Sequence, residues 1–185
     1  MTPESDNKGV EDAAGWVNFE NITQLAIEAT LRQGKQIPCL IIDGSKKMMY
    51  GGMPYLPETH NERMQFMYAA GQIALMSGEI GNLKQVFLIS EGWMSVPKDS
   101  DPPKALSSED PNRKEVLIVS GLEIQKQATY LKVFEMLRDK DEKLIGLREL
   151  SIPRQEEGGE FDISLLDAFR QGFQTALRES IGKWN

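Results

Sequence analysis

Ile22, Leu25, Ala26 and Ala29 recur at the spacing of a helix with one buried side. Asn21 with Gln24 three residues on reads as a capping box and Gly34 after Arg32 as a stop, so a helix is expected over 21–33. Ile37 to Asp43 is a short apolar run closed by Asp43-Gly44, a dipeptide suited to a tight hairpin turn, and Met48 to Met53 is expected to return beside it. Pro38 lacks an amide hydrogen and belongs at that strand's start or on an edge. Gly51-Gly52, Pro54 and Pro57 then interrupt the pattern. Thr59 with Glu62 makes a second capping box, after which Met64, Met67, Tyr68, Gly71 and Leu75 mark the buried stripe of a helix over 60–77, ended by Gly78 or Gly81.

Val86-Phe87-Leu88-Ile89 is apolar without alternation, the pattern of a strand covered on both faces, and Ser90-Glu91-Gly92-Trp93 turns polar at its end. Residues 97–111 hold four of the nine prolines and many charges, so a long exposed loop is expected there. Three further strands are expected over 115–123, 128–137 and 144–150. In the middle one Tyr130, Lys132, Phe134 and Met136 alternate with Thr129, Leu131, Val133 and Glu135, which fits an antiparallel meander. Asp162 is placed to cap a last helix carrying Leu166, Phe169, Phe173, Leu177, Ser180 and Trp184 on one stripe. Residues 1–15 are polar and acidic and read as a flexible arm ahead of one domain over 16–185.

The element order α-β-β-α-β-β-β-β-α implies an α+β fold: a single, mostly antiparallel sheet of about six strands with helices packed on it. In that order alone it is similar to profilin-like and roadblock-like folds, which are mostly binding and dimerisation platforms. Fold likeness of this kind carries little functional weight.

The composition agrees with one globular domain: 185 residues, 40% apolar and 26% charged, enough to build a core without metal or disulfide staples. Asp and Glu outnumber Lys and Arg 28 to 21, a net charge of −7, and the basic residues gather no further than the pairs Lys46-Lys47 and Arg113-Lys114. Nucleic acid is therefore not an expected partner. A single cysteine, Cys39, forms no internal disulfide and suits a reducing cytoplasm. The first fifteen residues have no apolar run, and nowhere do eighteen apolar residues run together, so neither a secretory leader nor a membrane span is expected.

One histidine, His60, excludes an HExxH site, and no phosphate-cradling glycine loop or GxSxG elbow occurs, so no cofactor is implied. Cys39 lies in an apolar strand, where a thiol behaves as a small hydrophobe; His60 falls in the first turn of the second helix, a solvated or capping position. What remains is acidic. If the strand bearing Glu91 and Trp93 pairs with the one after the proline-rich segment, then Glu91, Glu109, Asp110, Arg113 and Glu115 meet near one sheet end. Converging carboxylates hold Mg²⁺ or Ca²⁺ or share a proton, and an arginine neutralises them or stabilises developing charge. The plainer reading is that Ser108 and Asp110 build a turn before Pro111 while Arg113 and Glu91 tie the loop to the sheet. Met48, Met49, Met53, Met64, Met67 and Met76 cluster in the hairpin and second helix, as core packing or as an adaptable docking surface.

Ser90-Glu91-x-Trp93, followed after a variable loop by Ser108-Glu109-Asp110-Pro111-x-Arg113-x-Glu115, resembles a signature in a family of small bacterial proteins with no assigned activity. The resemblance spans about residues 84–124 and implies neither substrate nor mechanism. The expectation is a non-enzymatic interaction or small-ligand module of the cytoplasm, with a second copy or another protein as partner. The alternative is a metal-assisted hydrolase built on the carboxylate and arginine cluster.

Overall fold

Runs of consecutive apolar residues in two strands decide the layering of this molecule. The computed structural model describes residues 17–95, 113–151 and 163–182. The arm at 1–15, the loop at 97–111, Glu109, Asp110, Asp162 and Trp184 lie outside them. The elements run α1 (Phe19–Gln33), β1 (Cys39–Gly44), β2 (Met48–Gly52), α2 (His60–Met76), β3 (Leu83–Met94), β4 (Lys114–Glu123), β5 (Ala128–Arg138), β6 (Leu144–Glu149) and α3 (Ile163–Gly182). The strands form one six-stranded sheet in the order β2-β1-β3-β4-β5-β6, every neighbouring pair antiparallel. The α+β class and element order expected from the sequence are those observed. Because β1 opposes both neighbours, β2 and β3 run the same way, and α2 carries the chain past β1 between them.

Side chains alternate across a strand, so an unbroken apolar run must be covered twice. Leu40, Ile42, Val86 and Leu88 pack with Met67, Leu166 and Phe169 of α2 and α3. Cys39, Ile41, Phe87 and Ile89 pack on the other side with Ile22 and Ala26 of α1 and with Leu117 and Val119. The sheet is thus the middle of three layers.

Helix ends follow local chemistry, with one shift from the sequence reading. The cap of α1 is Asn18, not Asn21: Asn18 Oδ1 accepts from the Asn21 amide at 2.9 Å, and the helix begins at Phe19. The earlier start is anchored by the Phe19 ring, stacked on Tyr130 at 5.1 Å. Gly34 closes the helix at φ 73° as expected. Thr59 and Glu62 form the full capping box of α2.

A second difference concerns the first hairpin. Asp43 and Gly44 belong to β1, and the turn falls after them, closed by the Gly44 amide on the Lys47 carbonyl at 3.2 Å. Gly44 is required for close approach: a Cβ there would stand 2.1 Å from the Ile80 carbonyl oxygen. In α3 the buried stripe is Leu165, Leu166, Phe169, Phe173 and Ala176, while Leu177 faces solvent. The stripe turns away from Leu177 because α3 meets α2 along Phe169–Phe173, where a Cβ on Gly71 or Gly172 would strike the facing backbone.

Candidate functional site

The pleat sorts the singled-out residues. Pairing of β3 with β4 sets Glu91 opposite Leu117 and Trp93 opposite Glu115. Leu117 in turn faces Phe134 on β5. Since Leu117 and Phe134 line the α1 side, Glu91, Trp93 and Glu115 share that side, and so does Arg138, four residues beyond Phe134. The expected adjacency of the two strands is therefore present, near the end of α1.

Arg138 is the hub there. It grips Glu115 with two bonds, Nε to Oε2 at 2.6 Å and Nη2 to Oε1 at 2.8 Å, a fork that matches the carboxylate plane. Its Nη1 donates to the carbonyls of Gly34 and Glu142, at 3.2 and 3.1 Å. The first of these ties the stop of α1 to β5. Glu91 is held from the loop after α1, its Oε1 accepting from the Gln36 amide. Burial pushes the Glu91 carboxyl above its usual range; the Gln36 amide pulls it down, and the Glu115 charge pushes it up again.

The Arg113 guanidinium lies over the Trp93 ring at 4.4 Å. Trp93 is 49% exposed. Of the expected patch, Glu91, Trp93, Arg113 and Glu115 come together, whereas Glu109 and Asp110 lie outside the described residues. Arg138 and Gln36 were missed. Arg138 leaves a faint trace in the sequence, as a charge sharing the parity of the apolar Phe134 and Met136. Gln36 leaves none, because it acts through its backbone.

On the opposite side of the sheet, Glu135 is bonded by Lys114 at 3.1 Å and by Arg148. Burial pushes its carboxyl up, but those two bonds outweigh it and hold the group below its usual range. Cys39 is buried and its thiol is raised to about 11, chiefly by desolvation, which makes it a poor nucleophile. His60 opens α2 on the exposed surface. The methionines divide: Met53 and Met67 are core, Met49 and Met64 lean on it, and Met48 and Met76 are exposed.

A cleft of about 270 Å³ lies between the first turns of α3 and the β4–β5 hairpin, with Leu122, Ile124 and Thr129 on one wall. Its charged wall is already satisfied, Arg170 donating to Asp167 at 2.9 Å. Among the described residues no group of three or more His, Cys, Asp or Glu side chains is arranged to hold a metal ion. No described helix is long and apolar enough to cross a membrane. Comparison with protein-family models, curated proteins and solved structures finds no match to this chain.

Proposed function

We propose that this protein is a non-enzymatic interaction module that meets a protein partner through the Trp93–Arg113 surface, with the charged cluster beneath holding that surface in place. The observation that carries this reading is that the cluster is engaged within the fold: both Glu115 oxygens are taken by Arg138, and one Glu91 oxygen accepts from the Gln36 amide. Carboxylates bound in this way act as struts. Beside them, a half-exposed tryptophan stacked by an arginine presents two of the residue types enriched among the anchors of protein contacts. The net charge of −7 weighs against nucleic acid as the partner, and a lone buried thiol suits a reducing compartment such as the cytoplasm.

Two measurements test the reading. Titration with Mg²⁺, Ca²⁺ or Mn²⁺ should leave tryptophan emission and melting temperature unchanged. A photo-crosslinking residue in place of Trp93 should, in the native cell, yield a discrete adduct that Arg113→Ala removes and that a probe at Ile145 does not give. A metal-dependent rise in melting temperature that Glu91→Gln abolishes would favour the metal-assisted hydrolase instead.

A further inference from the structure

Among the described residues, the β2 edge is bare in a way the β6 edge is not. Lys47 and Met53 bond inward, through the Gly44 amide on the Lys47 carbonyl and the Met53 amide on the Pro38 carbonyl. Antiparallel pairs alternate between bonded and unbonded positions, so Met49 and Gly51 also bond inward, while the amides and carbonyls of Met48, Tyr50 and Gly52 point away from the sheet. The strand Met48-Met49-Tyr50-Gly51-Gly52 has no charge, no proline and no bulge against β1, and four of its five residues are exposed, Tyr50 at 67%. These are the devices by which sheet edges are normally protected from pairing. The β6 edge has them: it carries Arg148 and Glu149, and its register against β5 is broken at Leu137/Arg138.

Gly51 and Gly52 supply the second observation. Neither has a positive φ, and among the described residues a Cβ on either would meet open space, so none of them requires a glycine at either position. Glycine weakens a strand unless another backbone or side chain must come close. We propose that β2 pairs antiparallel with β2 of a second copy of this chain about a twofold axis at Tyr50, making one continuous twelve-stranded sheet.

The register is self-complementary. Tyr50 faces Tyr50 of the second copy and Met48 faces its Gly52, so all three outward amides and carbonyls on each strand are satisfied reciprocally. Met49 then faces the second copy's Gly51. Each glycine receives a methionine, which accounts for both residue types on this edge, and no like charges are set opposite one another within the strand.

Sedimentation and amide exchange test the pairing. The full chain should sediment at twice its 20.8 kDa, and the amides of Met48, Tyr50 and Gly52 should lose protection on dilution while those of Met49 and Gly51 keep it. Gly52→Glu, whose side chain enters open space in its own chain, and Tyr50→Lys, which sets two ammonium groups together at the axis, should each give a folded monomer. Ile145→Lys on the β6 edge should leave the dimer intact. A wild-type monomer at the highest soluble concentration overturns the proposal. So does a dimer that survives both β2 substitutions, or one in which those three amides exchange alike at all concentrations.

Discussion

On the α2–α3 side of the sheet, closure is a matter of shape. Gly71 and Gly172 let the two helices meet backbone to backbone, and Met67, Phe169 and Phe173 fill the space beneath. On the α1 side, among the described residues, a single helix covers the apolar strands, and its end is fixed by charge, with Arg138 reaching from Glu115 to the Gly34 carbonyl and Glu91 taking the Gln36 amide. The contrast follows from how much each layer can bury. Two helices in contact exclude water by themselves, whereas one helix leaves an open end that polar groups must close without leaving any of their number unpaired. It also explains why the residues that look chemical in this sequence gather on the α1 side.

The sharpest way to break the contrast is at the helix crossing. A Cβ on Gly172 would stand 1.9 Å from the Tyr68 carbonyl oxygen and one on Gly71 2.0 Å from that of Phe169. Gly172→Ala should therefore separate the helices and destabilise by about 3 kcal/mol, read from the urea midpoint. Helix propensity alone argues the other way, by about 1 kcal/mol in favour of alanine. A neutral or stabilised variant would show that the two helices do not touch as described.

How far the sequence reveals each side differs for the same physical reason. Local devices were legible: the Thr59–Glu62 box, the Gly34 stop and the doubly covered Val86–Ile89 run all act within a few residues. The pairing of β3 with β4 was also legible, but that Glu91, Trp93 and Glu115 fall on one side of the sheet follows from the register, Glu91 opposite Leu117 and Trp93 opposite Glu115. Arg138 was not legible, because its partner lies 23 residues away and is chosen by the register of three strands. The sequence does not distinguish Asn18 from Asn21, which offers the same side-chain chemistry three residues later; the earlier start goes with the Phe19–Tyr130 stack. Gly71 was visible only as a member of a stripe; that it marks a backbone contact depends on Phe169, about a hundred residues on.

A second cut compares the charged groups on the two sides. Arg138→Met leaves Glu115 without its fork and the Gly34 carbonyl without that donor, and should destabilise by about 2 kcal/mol. Adding Glu115→Leu should recover part of the loss, since the stranded carboxylate goes with it. Arg148→Met on the opposite side should cost less than about 0.5 kcal/mol, because Arg148 is 59% exposed and Glu135 keeps Lys114. Equal losses would mean that Arg138 is an ordinary surface partner and that the end of α1 is held by packing alone.

The smallest effect separates the sides by sign. Glu91 has its carboxyl raised, so its protonated form is the one the folded state prefers. Its contribution is fully favourable below the ordinary glutamate value and is lost as pH climbs through the raised one. Glu91→Gln retains an oxygen for the Gln36 amide while removing the charge, so it should melt with the wild type in acid and above it at neutral pH. Glu135 is the reverse case: its carboxyl is lowered by Arg148 and Lys114, so its contribution is present above the ordinary value and fades as pH falls through the lowered one. Glu135→Gln should accordingly melt below the wild type at neutral pH and converge with it in acid. Melting curves across pH therefore give two lines diverging in opposite directions from a common acid limit. Parallel lines would mean that Glu91 is solvated and that the α1 end of the molecule is open to water.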